Sequence, residues 1–112
     1  MATYWTVPKG AVGGSIWSSA AVTRNGEFVY VTTGNSDTAG GDPGDSFSIV
    51  RLAGQTLQRR GLWTVPNLDG TDSDFGGSPT LFSADLGDGK QTPLVGACNK
   101  DGNYYVLRSR HP

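Results

Sequence analysis

A chain of 112 residues is long enough for one small hydrophobic core, and a formal net charge of −1, with 9 basic against 10 acidic side chains, excludes the basic footprint of a nucleic-acid binder. The 17 glycines and 6 prolines are spread throughout, and no stretch keeps apolar residues at helical spacing for three turns, which excludes a helical fold. No apolar run reaches the roughly 20 residues of a membrane span, and Cys98, the only cysteine, excludes an internal disulfide while leaving the redox compartment open.

The apolar residues come in short β-branched and aromatic runs separated by Gly, Asn and Asp clusters, so an all-β chain is expected. In chain order the expected strands run from Tyr4 to Val7, Ile16 to Thr23, Glu27 to Thr33, Ser46 to Leu52, Arg60 to Val65, Pro79 to Ala84, Pro93 to Cys98 and Asn103 to Arg108. Asn25-Gly26 and Asp101-Gly102 are tight-turn signals, which makes the strands on either side of each an antiparallel hairpin. Met1 to Trp5 lacks the basic and apolar regions of a signal peptide and reads as an arbitrary cut or an internal start codon.

An internal repeat organises these strands. Tyr4-Trp5-Thr6-Val7-Pro8 recurs as Leu62-Trp63-Thr64-Val65-Pro66, and each copy leads on to Gly-Gly-Ser, at Gly13 to Ser15 and at Gly76 to Ser78. The period is roughly 60 residues, and the unit is four short antiparallel strands. Such a unit has the pattern of a β-propeller blade, and a ring needs at least about four blades to close. The expectation is therefore a partial propeller of about two blades, with strand order D-ABCD-ABC counted from the centre outward. Residues 1–8 would be the outer strand of a preceding blade, 14–66 the first complete blade, and 76–112 a second blade lacking its outer strand. Trp5 and Trp63 occupy the repeated outer-strand position, where an indole buries a large apolar area as core.

The segment from Gly13 to Leu107 resembles the pyrroloquinoline-quinone-dependent (quinoprotein) alcohol and polyvinyl-alcohol dehydrogenases. The resemblance rests on Ile16-Trp17-Ser18-Ser19, Val29-Tyr30-Val31-Thr32-Thr33-Gly34-Asn35, Ser48 to Leu52 and Leu62-Trp63 in the first blade. In the second it rests on Asp74 to Phe82, Pro93 to Ala97 and Lys100 to Leu107. It implies a parent propeller, periplasmic or secreted, that oxidises an alcohol or polyol with pyrroloquinoline quinone (PQQ) and calcium. The implied partners are the remaining blades or further copies of this chain.

Site residues follow from the same resemblance. Asn35 matches a ligand of the catalytic calcium, Asp42 the general base that takes the substrate hydroxyl proton, and Lys100 a cation set against the quinone oxygens. The chemistry is suitable, since a hard cation prefers amide and carboxylate oxygens and an ammonium stabilises charge on a reduced quinone. Where the family continues Gly-Gly-Asp with Asn and bulky apolar residues, this chain departs with Pro43-Gly44-Asp45. The plainer alternative is that Asn35 and Asp42 build a surface loop of turn formers and that Lys100 is a solvated hairpin residue.

Asn67 to Asp74 alternates oxygen side chains around Gly70 but lacks the terminal Glu of a calcium loop, so an inter-blade connection is the expectation. Cys98 is expected to be a small buried hydrophobe, and His111, beside the terminal Pro112, to have no catalytic role. Two functions remain open at this point: a fragment of a quinoprotein dehydrogenase, inactive alone, or a non-catalytic propeller that serves as scaffold or binds proteins.

Overall fold

The computed structural model describes residues 1–36, 42–66 and 72–109. Two antiparallel sheets account for all its regular structure, and among the described residues there is no helix. The first sheet holds β1 (Ala21–Val22), β2 (Phe28–Thr32), β3 (Ser48–Ala53) and β4 (Arg59–Thr64) in that order. The second holds β5 (Thr80–Asp85), β6 (Gln91–Cys98) and β7 (Tyr104–Arg108). The two sheets form an open arrangement, as expected of a partial propeller.

Turn chemistry sets the registers. Gly26 takes φ 72°, and its N–H donates to the Thr23 carbonyl, while the Asn25 side-chain oxygen accepts from the Glu27 N–H. That turn places Tyr30 opposite Ala21, and the pairing of β2 with β3 places it opposite Arg51 on the other side. β3 then pairs with β4 from Ser48↔Thr64 onward, with a register shift at Arg51/Leu52. The expected order, in which the third element of the sheet lies between the second and fourth, is therefore the observed one.

Alternation along each strand sends one set of side chains into the space between the sheets. Tyr30 and Ile49 from the first sheet meet Val95 and Ala97 from the second, and Val65 and Phe75, from the chain that links the sheets, complete the cluster. Phe75 is fully buried, and Trp63 stacks at a tilt on Tyr105 with centroids 4.8 Å apart. The opposite face of the first sheet carries Val31, Val50 and Leu52, with Tyr4 packed against them.

Three expectations are corrected. Tyr4 to Val7 is not a strand: the segment lies against the face of the first sheet, held where the Thr6 carbonyl accepts the Asp45 N–H and Tyr4 donates to Asp45. A strand needs a neighbouring edge, and among the described residues none lies beside this segment. Of Ile16 to Thr23 only Ala21–Val22 pairs as a strand: the chain bends at Ser18, and ahead of the bend it meets the loop after β2 through the Gly13↔Ser36 bridge and the Gly34 N–H donated to the Ser15 carbonyl. Cys98 is exposed, since alternation turns it to the face of the second sheet that points away from the first.

Candidate functional site

The connections that follow β2 and β6 meet at one rim of the two sheets. After β2 the chain passes through Thr32 and Thr33, both fully buried. The Thr33 hydroxyl donates to the Asp45 carbonyl and accepts from the Ser48 N–H, which pins the base of the loop. Gly34 follows, at a position where a Cβ would lie 2.5 Å from the Asp74 carboxylate and 2.6 Å from the Trp17 indole nitrogen. Only glycine lets these groups approach, and this approach delivers Asn35 to the rim.

Asn35 donates twice to the inter-sheet connection. Its backbone N–H reaches Asp74 Oδ1 at 2.5 Å, and its Nδ2 reaches Asp72 Oδ1 at 2.7 Å. From the other sheet, Lys100 Nζ lies 3.1 Å from Asp72 Oδ2 and 3.0 Å from Asp74 Oδ2. Each carboxylate thus bridges Asn35 of one sheet to Lys100 of the other. Backbone contacts reinforce the arrangement: the Lys100 N–H donates to the Asp74 carbonyl, and Asn99 Nδ2 donates to the Ser73 carbonyl.

The electrostatics follow from this geometry. Asp74 is buried and Asp72 exposed, and two carboxylates against one ammonium leave the cluster with one net negative charge. Hydrogen bonds from Asn35 first, then Lys100, hold the Asp72 carboxyl below the usual carboxylate range. Asp74 and Asp72 in turn raise the Lys100 ammonium above its ordinary value. At neutral pH Lys100 is therefore a fixed ammonium and Asp72 a fixed carboxylate, a pair suited to electrostatic stabilisation and unsuited to proton exchange.

The rim brings together Asn35 and Lys100 but not Asp42. Asp42 Oδ1 accepts the Gly44 N–H at 2.8 Å, a local Asx turn, and the residue is exposed. Sequence reasoning missed Asp72 and Asp74 as the groups that join Asn35 to Lys100. Their signal was the pair of aspartates two apart just before Phe75-Gly76-Gly77-Ser78. Asn67 to Thr71 of the calcium-loop candidate, and His111, lie outside the described residues.

Asn35 Oδ1 is buried without a hydrogen-bond partner among the described residues, and an amide oxygen is the kind of hard donor a calcium ion takes. Among the described residues no three His, Cys, Asp or Glu side chains gather as a metal centre. The residues therefore fit one portion of a cation and quinone site, an amide oxygen and an ammonium, rather than a complete coordination shell.

No protein-family model and no curated protein matches this chain. Among solved structures it is similar to the crystal structure of quinohemoprotein alcohol dehydrogenase from Comamonas testosteroni, with a TM-score of 0.71 and 24% sequence identity over 86% of this chain. The match covers 15% of that protein's chain, and at such identity it speaks for the fold.

Proposed function

We propose that this chain supplies two neighbouring blades, 14–66 and 76–112, of a quinoprotein-dehydrogenase-like propeller that oxidises an alcohol or polyol, and that it is inactive without further blades. Residues 1–8 would belong to the blade before them. The observation that carries this reading is the meeting of Asn35 and Lys100, from equivalent connections of the two sheets, at one rim with Asn35 Oδ1 left unpartnered.

In the complete propeller, Asn35 would offer Oδ1 to calcium, and Lys100 would hold its charge toward the quinone oxygens. PQQ supplies the hydride-accepting chemistry when bound. Asp72 and Asp74 fix the Lys100 ammonium, so its position is set before any ligand arrives. Asp42 would serve as the base that takes the substrate hydroxyl proton, with one carboxylate oxygen held in its own turn. Such a parent would work in the periplasm or outside the cell, where the family's quinone chemistry takes place.

The test uses the propeller with all its blades. Lys100→Met should weaken PQQ binding, Asn35→Leu should remove the calcium dependence of that binding, and Asp42→Asn should lower quinone reduction by about 100-fold or more. Undiminished turnover in Asp42→Asn removes the base, and unchanged PQQ affinity in both other variants removes the site.

A second reading is a non-catalytic propeller that acts as scaffold or binds proteins. The saturation of Asp72 and Asp74 by Asn35 and Lys100 favours it, because the cluster then serves as a clasp between blades. Absence of PQQ binding in the complete wild-type propeller would select this reading.

A further inference from the structure

Two arginines converge at the foot of the first sheet, at the end of its strands away from the rim. Arg51 on β3 stands opposite Tyr30 of β2 and Gly61 of β4, on the face turned to the second sheet. β4 is irregular at this point: Arg51 pairs with Gly61 and Leu52 with Arg59, so Arg60 is the extra residue of a bulge. A bulge interrupts alternation and re-aims its side chain. Arg60 here lines the same recess as Arg51, about 410 Å³ in volume, together with Glu27, Phe28 and Ala53. All five residues belong to the first sheet and its turns, with every strand of that sheet in place.

The Arg51 guanidinium is held in position by the strands around it. It lies over the Phe28 ring, 4.9 Å from the centroid, and its Nη2 donates to the Arg60 carbonyl at 2.8 Å. Gly61 provides the room, since a Cβ there would already touch Cζ, Nε and Nη2 at 3.4 Å each. The charge itself is poorly compensated. Nε is buried without a partner among the described residues, and the ion pairs among those residues engage Arg59 and Lys100 rather than Arg51 or Arg60. Glu27, the acidic side chain that lines the recess, accepts the Asn25 Nδ2 at Oε2 at 3.3 Å. A cation partly withdrawn from water and left unpaired is costly, and a bound anion offsets that cost.

We infer that this recess binds a tetrahedral oxyanion, a phosphate or sulfate group, between the Arg51 and Arg60 guanidiniums. Two cations against Glu27 leave the recess with a surplus of positive charge, which favours an anion and opposes a cation. Shape selects among anions. A planar carboxylate presents its two oxygens to one guanidinium fork, whereas a tetrahedral group keeps oxygens for a second guanidinium arriving from the neighbouring strand. The bulge is what brings that second guanidinium to the recess. The site is separate from the rim and does not rest on the function proposed above.

Inorganic phosphate, titrated into the full chain at an ionic strength held constant with chloride, is expected to shift the Arg51 and Arg60 side-chain N–H resonances saturably. Arg51→Met and Arg60→Met should each weaken binding by about tenfold or more, since each removes charge-assisted hydrogen bonds. Glu27→Gln keeps an oxygen for the Asn25 amide and removes the opposing charge, so it should bind phosphate more tightly, a change that a damaged fold does not produce. Lys90→Met, at an exposed cation of the second sheet's hairpin, is the control and should bind as the wild type does. Phenyl phosphate identifies the source of the group. Tighter binding than inorganic phosphate assigns the recess to an ester, whose body has room in a second recess of about 400 Å³ that shares Arg60, and equal binding assigns it to the free ion. The inference is overturned by resonances that respond no more to phosphate than to chloride, by an affinity unchanged in both arginine variants or lowered equally in Lys90→Met, or by looser binding in Glu27→Gln.

Discussion

Replacing Phe75 by alanine tests whether the two sheets are held together by one shared core. The ring is fully buried, packs among Tyr30 and Ile49 of the first sheet and Val95 and Ala97 of the second, and lies edge-on to Tyr105 at 6.1 Å. Removing it forfeits transfer free energy and leaves a cavity, together costing about 3–5 kcal/mol for a buried Phe. The cavity has little freedom to collapse, because Trp63 on Tyr105 keeps the sheets apart, and the edge contact adds its own share. We therefore expect about 4 kcal/mol, a large part of the stability of a domain this size. With a urea slope near 2 kcal/mol/M, the unfolding midpoint should fall by about 2 M. Leu86→Ala, at a residue 52% exposed, is the control and should stay within about 0.5 kcal/mol. Measured by fluorescence under conditions where both proteins are monodisperse, a loss below about 1 kcal/mol for Phe75→Ala would show that the sheets do not share this core.

Gly54→Ala should destabilise by about 1–3 kcal/mol, because the new Cβ would sit 1.9 Å from the Gly26 carbonyl oxygen, whereas Gly76→Ala meets nothing within 4 Å and should be silent; equal unfolding midpoints would refute the contrast. Tyr4→Phe removes a 2.6 Å hydrogen bond to the Asp45 carboxylate, which keeps its ion pair with Arg59, so denaturation should report a loss of about 1–2 kcal/mol. The rim cluster should be intact at neutral pH and fail first in acid. Asp72 is depressed, so its contribution is present above its ordinary value of 3.8 and lost as pH falls through a lower one, while Lys100 is raised and keeps its contribution until pH climbs past 10.5. An NMR titration of the Asp72 carboxyl carbon with a midpoint at or above 3.8 would contradict the geometry.

The elements legible in the sequence were those decided by neighbours along the chain. Asn25-Gly26 and Asp101-Gly102 mark turns because only a few residues accept the backbone they need, and β-branched runs such as Phe28–Thr32 form strands wherever an edge is near. The repeat of Trp-Thr-Val-Pro likewise marks the two-unit architecture in the sequence itself. Tertiary structure decided what depends on distant partners. Whether Tyr4 to Val7 forms a strand turns on the presence of an edge beside it, which local propensity does not encode. The clasp of Asn35 and Lys100 by Asp72 and Asp74 rests on hydrogen bonds that span up to 39 residues, and it exists because Gly34 leaves room for Asp74. Asp42 satisfies its own turn instead. Cys98 is exposed because strand alternation assigns it a face and packing covers only the other one. Local stereochemistry acts over a few residues, whereas burial and pairing are set by whichever surfaces the folded chain brings into contact.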